Sequence, residues 1–172
     1  PNGDLPTSRS MIFVTPDGER SMNTYLGIST ELGPRDIPEK VATASEMIFL
    51  EGYLFDKDQG KEAFRQASRM TRTAGGRAGI AISDPFCVNR HRNDFIEMIK
   101  NDLDFVIGNE HEIKSLYETN DLEAAMSKTA DMIKLMVCTR SGDGVTIMSN
   151  GERHDIPVNK ITPVDATGAG DQ

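Results

Sequence analysis

The residue types best suited to chemistry lie in one short run of the sequence, Asp165-Ala166-Thr167-Gly168-Ala169-Gly170-Asp171. Small residues at 168–170 let the backbone approach a ligand closely, and consecutive N–H groups at a helix start bind anions. An aspartate directly after such amides, here Asp171, is placed to take a proton from a hydroxyl that attacks a phosphoryl group. The alternative is a glycine-rich turn with an N-capping aspartate, and the run alone does not separate the two.

A second polar group, Asn109-Glu110-His111-Glu112, stands where a predicted strand ends and a helix begins. Glu112 is a candidate to face a Mg²⁺–phosphate group through water, and Asn109 is a candidate to cap the helix or contact the phosphate. Mg²⁺ keeps several of its waters, so one or two protein carboxylates are enough. The more ordinary alternative is a capped helix start with surface charges.

A third group is the turn Thr139-Arg140-Ser141-Gly142-Asp143-Gly144, which follows a buried strand. Its polar side chains and glycines are candidates to hold the phosphates or ribose of a nucleotide. The candidate contacts are Thr139, Ser141, Gly142 and Gly144. By itself the turn is equally suited to connecting two strands.

The hydrophobic pattern indicates the elements that position these residues. Short apolar strands are predicted near 47–50, 78–82, 105–107 and 135–139, with helices near 58–73, 89–101, 110–117 and 121–131 between them. Asn120 and Glu123 are predicted as the N-cap and N3 residues of the last helix. This alternation predicts a mainly parallel sheet with helices on both faces.

In such sheets the ligand site lies at the carboxyl ends of the strands. The segments expected to converge there are Glu51-Gly52-Tyr53, Ser83-Asp84, Gly108-Asn109 and Thr139-Arg140-Ser141.

Two hairpins are predicted outside this pattern. Strand-like residues 10–14 and 21–26 flank Pro16-Asp17-Gly18, and 144–148 and 153–156 flank Asn150-Gly151. In the first hairpin three residues lie two apart and therefore share one strand face. They are Arg20, Met22 and Thr24.

Composition limits the class of protein. The 172 residues suit one domain, and the net charge of -8 argues against nucleic-acid and anionic-membrane partners, which are polyanions themselves. No run reaches the roughly 18–20 apolar residues of a membrane span, and no signal peptide is visible. Cys87 and Cys138 suit buried reduced thiols, so a cytoplasmic location is expected. The missing initiator Met and the ending just after Asp171 are interpreted as signs of a fragment.

In their order and spacing the three groups resemble the PfkB (ribokinase-like) family of carbohydrate and nucleoside kinases. The run 165–171 is similar to the family's C-terminal signature, with alanine in place of the commoner threonine at its second position. Asn109–Glu112 is similar to its Asn-x-x-Glu motif. Thr139–Gly144 is similar to its nucleotide loop, although Ser141 stands where glycine is common. The resemblance is closest to the adenosine kinase-like branch, because Gly108-Asn109-Glu110 and Gly52-Tyr53-Leu54 both look like that branch.

The resemblance implies a ribokinase-like three-layer α/β/α fold with a mainly parallel central sheet and a small β lid. Residues 1–30 would form part of the lid. Residues 31–172 would form an α/β nucleotide-binding core that is incomplete at its C-terminal end.

The resemblance also implies ATP-dependent, Mg²⁺-assisted phosphoryl transfer to a primary hydroxyl of an adenosine-like nucleoside or a sugar. Asp171 would be the general base, beside an anion hole formed by Gly168, Ala169 and Gly170. Candidate substrate contacts are Arg20, Met22, Thr24 and Tyr53, although Tyr53 equally suits a core aromatic and Arg20 a solvated turn charge.

Some relatives use an activating monovalent cation such as K⁺, for which the backbone at Asp165 and Thr167 is a candidate. The expected assembly is a monomer or homodimer. The alternatives are a ribokinase- or fructokinase-type sugar kinase and a non-catalytic nucleotide-binding domain of the same fold.

Overall fold

The computed structural model describes residues 3–162, 164–165 and 167–168. A two-stranded antiparallel hairpin comes first, with β1 at Arg9–Val14 and β2 at Arg20–Tyr25. A six-stranded sheet follows, in the order β3-β4-β5-β6-β7-β8. Its strands are β3 Met47–Glu51, β4 Arg77–Ala81, β5 Phe105–Asn109, β6 Leu135–Thr139, β7 Val145–Ser149 and β8 Glu152–Ile156. Strands β3 to β6 are parallel and the last two are antiparallel, as the sequence predicted.

The first helix precedes β3, and the others connect the parallel strands. The helices are α1 Glu39–Ala44, α2 Asp58–Thr73, α3 Pro85–Asn101, α4 Glu110–Ser115 and α5 Leu122–Ala130. Short 3₁₀ segments lie at Gly27–Glu31, Pro34–Asp36, Gly52–Asp56 and Ser141–Asp143. Among the described residues, no helix combines the length and the apolar character needed to cross a membrane.

The main core lies between one face of the sheet and helices α2 to α5. A row of paired strand residues, Leu50, Ile80, Val106 and Met136, is buried there. The helices contribute Phe64, Val88, Phe95, Ile113 and Met126 to the same core. Consecutive parallel strands that add in one direction through right-handed crossovers place every connecting helix on the same side. Helices α2 to α5 therefore pack on this face of the mainly parallel sheet.

The opposite face carries alternate strand residues and is more exposed. In the described part of the chain Met47, Phe49 and Ile156 on this face are 46–48% exposed. Phe49 and Phe105 stack on it with ring centroids 6.1 Å apart. They meet across β4 because Gly79, the register partner of both, has no side chain.

Gly79→Ala should lower the free energy of unfolding by about 1–3 kcal/mol, the usual cost of overpacking. A Cβ at Gly79 would lie 2.1 Å from the Phe105 ring, so the ring must move. Gly142→Ala is the matched control, because a Cβ there has no heavy atom within 4 Å. Urea unfolding measures both variants, and equal stability of the two would contradict the packing described for this face.

Most local predictions are confirmed, and two are wrong. Helix α2 and both hairpins lie where the sequence placed them. Helix α3 begins at Pro85, not at 89, because the Asp84 carboxylate accepts the N–H groups of Phe86 and Cys87 and caps it there. The N-cap of α5 is Asp121, not Asn120, and its carboxylate accepts the Ala124 N–H at 3.0 Å.

Candidate functional site

The carboxyl ends of the parallel strands converge, as predicted. After β3, the Gly52 N–H donates to Ser83 Oγ at 3.1 Å, and Ser83 Oγ donates to Glu51 Oε2 at 2.9 Å. Across the next strands, Asn109 pairs in register with Thr139, and Arg140 Nε donates to Glu110 Oε1 at 2.9 Å. The predicted segments therefore form one edge, joined by contacts between neighbouring strand ends.

The backbone after β3 packs closely on this edge. A Cβ at Gly52 would lie 2.3 Å from the carbonyl oxygen of Ile82, so only glycine fits there. Ser83, which follows, has a φ of 71° in the left-handed region, and its hydroxyl holds the Gly52 amide. The segment that carries Tyr53 thus begins at a fixed point on the end of β4.

Asn109 and Glu112 form a reciprocal cap at the start of α4. The Glu112 N–H donates to Asn109 Oδ1 at 2.9 Å, and the Asn109 N–H donates to Glu112 Oε2 at 2.9 Å. Asn109 Nδ2 also donates to Glu112 Oε1 at 2.7 Å. The capped-helix alternative is therefore realised, and the same contacts fix the Glu112 carboxylate at the strand-end edge.

Glu112 is unusual because its carboxylate is buried, with only 7% of the residue exposed. Burial raises its pKa above the usual value, and the charges of Asp84 and Glu51 raise it further, against the lowering effects of the Asn109 amide and His111. A buried carboxylate near other carboxylates is stabilised by an added cation. This supports a fit to Mg²⁺, because each Glu112 oxygen can accept a second hydrogen bond from a metal-bound water.

The described residues contain no cluster of three or more His, Cys, Asp and Glu side chains that would bind a metal by themselves.

The loop after β6 is shaped by two left-handed residues. Ser141 has a φ of 50°, which explains why glycine would be favoured at this position. Gly144 has a φ of 93°, and a Cβ there would lie 2.1 Å from the Ile156 carbonyl oxygen. Ser141 and Gly142 are exposed at the tip of the loop and Thr139 is exposed at its start. The ion pair of Arg140 with Glu110 ties this loop to the start of α4.

The glycine-rich run is described only in part. The Asp165 carboxylate accepts the Thr167 N–H at 2.8 Å, and Gly168 has a φ of 77°. The Thr167 hydrogen bonds lower the pKa of Asp165, and the charge of Arg20 lowers it further, so the start of β2 lies near this run. The predicted anion-hole residues Ala169 and Gly170 and the predicted base Asp171 lie outside the described residues.

The remaining predicted substrate contacts are exposed. Met22 and Thr24 lie on β2 with Arg20, and Thr24 Oγ1 is hydrogen-bonded to Ser10 Oγ at 2.8 Å. Tyr53 is 54% exposed, so it is not a core aromatic. Together with Leu26 and Leu54 it lines a small cavity of about 110 Å³ between the segment that follows β2 and the Gly52–Asp56 segment.

A larger open cavity of about 840 Å³ lies elsewhere, between the Pro34–Asp36 segment and helices α2 and α3. None of its lining residues is a predicted site residue. We favour the strand-end edge as the site, because the polar groups placed by separate strands converge there.

Sequence reasoning placed Glu51, Ser83, Asp84 and Arg140 at this edge but did not predict their contacts. The hydrogen bond of Ser83 with Glu51 has no local signal, because it joins residues 32 positions apart. The pair Arg140 and Glu110 joins residues 30 positions apart. Asp84 did have a signal, because an aspartate directly before Pro85 is typical of an N-cap followed by proline at the first helical position.

The chain matches the pfkB family of carbohydrate kinases over residues 1–172. A comparison with curated proteins gives no match. Among solved structures, a probable sugar kinase from Rhizobium etli is 42% identical with a TM-score of 0.94, covering 99% of this chain and 53% of that one. The adenosine kinase from Sinorhizobium meliloti is 43% identical with a TM-score of 0.92, covering 96% of this chain and 51% of that one.

A more distant structure shows the fold alone. It is an E. coli protein provisionally named Ribokinase II, solved with ATP and Mg²⁺, which is 18% identical with a TM-score of 0.81. The match covers 94% of this chain and 54% of that one. The chain thus spans about half the length of these solved structures.

Proposed function

Because the chain belongs to the pfkB family of carbohydrate kinases, we propose that the full protein transfers a phosphoryl group from ATP to a primary hydroxyl of an adenosine-like nucleoside. The observation that carries the proposal is the buried Glu112 carboxylate, fixed by Asn109 where the ends of the parallel strands converge. The 43% identity to an adenosine kinase structure supports the choice of acceptor.

The proposed chemistry at the acceptor belongs to the glycine-rich run. Asp171 accepts the proton of the attacking hydroxyl, which makes that oxygen a better nucleophile. The amides of Gly168, Ala169 and Gly170 donate to the negative charge that develops on the transferred group. Each such donor is typically worth about 3–4 kcal/mol in the transition state.

On the nucleotide side, the loop that carries the exposed residues Thr139, Ser141 and Gly142 and the buried Gly144 is proposed to contact the phosphates and ribose of ATP. Mg²⁺, when bound, neutralises phosphate charge. Glu112 and Asn109 would hold it through water. The cap contacts fix the Glu112 carboxylate in place before any ligand arrives.

The acceptor itself is proposed to lie between the hairpin and the Gly52–Asp56 segment. Tyr53 offers a half-exposed ring to a base or sugar, and Arg20 is near the glycine-rich run. Met22 and Thr24 share the strand face of Arg20 and complete this side of the proposed site.

A sugar acceptor is the second candidate, favoured by the 42% identity to the probable sugar kinase structure. Steady-state assays of the full-length enzyme with adenosine, ribose and fructose separate the two. We expect kcat/KM for adenosine to be higher by at least about 100-fold, since a site that hydrogen-bonds a base discriminates strongly against ligands that lack one. A preference for ribose or fructose would overturn the nucleoside assignment.

Further measurements on the full-length enzyme test catalysis, monovalent-cation activation and the oligomeric state. Binding of ATP without transfer to any acceptor would favour a non-catalytic nucleotide-binding domain. Replacing Na⁺ with K⁺ should raise activity if the backbone at Asp165 and Thr167 binds a monovalent cation, and unchanged activity would exclude that role. Sedimentation of the full-length enzyme would distinguish the monomer from the homodimer.

A further inference from the structure

A second polar cluster lies beside the proposed acceptor site and is not used by the mechanism above. Its centre is Asp56, the last residue of the Gly52–Asp56 segment. Arg90 donates to both Asp56 oxygens, from Nε at 3.0 Å and from Nη2 at 2.9 Å. His91 Nε2 lies 2.9 Å from Asp56 Oδ1. Both partners come from helix α3, so the carboxylate fastens the end of the segment to that helix.

The contact of the other ring nitrogen, Nδ1, indicates which nitrogen of His91 carries the proton. Nδ1 lies 3.2 Å from the ammonium nitrogen of Lys61, which is 8% exposed and pairs with Asp94 at 2.6 Å. An ammonium donates hydrogen bonds and cannot accept them, so Nδ1 must be the acceptor. The proton of a neutral imidazole therefore resides on Nε2, which donates to Asp56. The geometry requires a neutral His91 in its Nε2–H form.

Protonation of His91 would break this chain of hydrogen bonds at one point. An added proton on Nδ1 would face the Lys61 ammonium, which places two donors together with no acceptor between them. The backbone of α3 already departs from helical geometry at His91, with φ −127° and ψ 27°. The helix is therefore interrupted at the residue whose ring makes both contacts.

The charged surroundings of His91 come from all of the elements packed against it. The 52–56 segment supplies Asp56, and α2 supplies Lys61 with Asp58, which lies 3.5 Å from the Lys61 ammonium. Helix α3 supplies Arg90, and Asp94 Oδ2 lies 4.0 Å from His91 Nδ1.

The charges of two further groups in the cluster follow from their surroundings. The Cys87 thiol lies 3.9 Å from Asp56 and is neutral, because burial raises its pKa to about 11. Burial also acts to raise the pKa of Asp56, but the hydrogen bonds from Arg90 and His91 outweigh it and the pKa is lowered. Asp56 is thus an anion, to which the Nε2–H donates.

The cluster connects to the proposed acceptor site through the backbone. Gly52, at the start of the segment, is held by Ser83 Oγ and packs on the Ile82 carbonyl. Asp56, at its end, is held by α3. Tyr53 lies between these two attachments, three positions before Asp56. The position of its ring therefore depends on both ends of one five-residue segment.

We propose that Asp56 is a positioning residue for Tyr53, and that neutral His91, held between Lys61 and Asp56, maintains that position. The inference rests on the proposed function, in that Tyr53 contacts the acceptor. Loss of the contacts of Asp56 or His91 loosens the segment and weakens acceptor binding. The rate of the chemical step should stay nearly unchanged, because other residues carry it.

Asp56→Asn in the full-length enzyme should raise KM for adenosine about tenfold, the effect of weakening a charged hydrogen-bonded pair. kcat should change by less than about twofold, because transition-state contacts are untouched. Asp131→Asn is the matched control, since Asp131 is exposed and lies outside the cluster, at the end of α5. A KM that is unchanged in Asp56→Asn, or equally raised in Asp131→Asn, would overturn the proposal.

His91→Gln separates positioning from simple structural support. A glutamine amide can donate to Asp56 and accept from Lys61 as neutral histidine does. We expect KM at neutral pH to stay near the wild-type value in His91→Gln and to rise severalfold in His91→Ala. A rise of similar size in His91→Gln and His91→Ala would contradict the role of the His91 hydrogen bonds.

A measurement without catalysis distinguishes failure of this inference from failure of the proposed function. Imidazole ¹⁵N NMR of the full-length protein should show His91 as the Nε2–H tautomer at neutral pH. Asp56→Asn should change that signal, whereas Asp131→Asn should not. If no acceptor is phosphorylated, the proposed function fails and the NMR result still tests the cluster. A protonated or Nδ1–H form at neutral pH would overturn the inference.

Discussion

Replacing Asp171 with asparagine should lower kcat by about 10²- to 10⁴-fold, the usual contribution of a general base. Asparagine keeps the size and most of the polarity of the side chain but cannot accept the proton of the attacking hydroxyl. The Kd for ATP should remain nearly unchanged, because the nucleotide contacts are assigned to Thr139–Gly144 and Glu112. Steady-state kinetics and ATP titration calorimetry of the full-length enzyme measure the two quantities.

Asp131→Asn provides the control for this experiment. Asp131 is an exposed aspartate at the C-cap of α5, so the same chemical change there should leave kcat unchanged. Turnover retained by Asp171→Asn would remove the base from the proposed mechanism. A matching loss of ATP affinity would instead indicate that the aspartate binds the nucleotide or its metal.

Glu112→Gln should lower kcat by about 100-fold while leaving the protein folded. The activity effect follows from losing the carboxylate proposed to face the metal-bound waters, and its size is typical of one lost electrostatic contact. The effect on stability should stay within about 1 kcal/mol, because two opposing changes accompany the substitution. One hydrogen bond from Asn109 loses its acceptor, and the cost of a buried charge is removed.

The free energy of unfolding should also depend on pH differently in Glu112→Gln and in the wild type. The pKa of Glu112 is raised in the folded protein, so the folded state binds the proton more tightly than the unfolded chain does. Protonation of Glu112 therefore adds to the free energy of unfolding below the unfolded pKa, near 4.5, and this addition is lost as pH rises through the folded pKa. Glutamine does not titrate, so the stability of Glu112→Gln relative to the wild type should improve as pH rises across this interval.

Glu118→Gln is the control, since Glu118 follows the same helix and its side chain is 73% exposed. It should change neither kcat nor the pH dependence of unfolding. If Glu112→Gln instead unfolds the protein, the Asn109–Glu112 pair is a helix cap whose role is structural. Full activity in a folded Glu112→Gln variant would exclude its proposed role at the metal.

Local sequence signals predicted much of the fold because each depends on neighbouring residues. The charged stretch from Asp58 to Thr73 has helical periodicity throughout, and the helix has those bounds. Asn150-Gly151 has positive φ at both positions, as the hairpin turn requires. The two errors at helix starts, at Asp84 and Asp121, come from competing polar residues within a few positions of each other, where local pattern has little resolving power.

The sequence by itself determined the order of the motifs and the mainly parallel sheet, because periodicity and strand order are properties of short segments. It also indicated the edge of the sheet at which the proposed site lies. Only the tertiary structure decided which side chains meet there. The register of parallel strands joins Ser83 to Glu51, and helix packing joins His91 to Asp56 across 35 positions. It also decided that Glu112 is buried and that Tyr53 is half exposed. Contacts between distant residues and the loss of solvent are collective results of packing, which no single segment encodes.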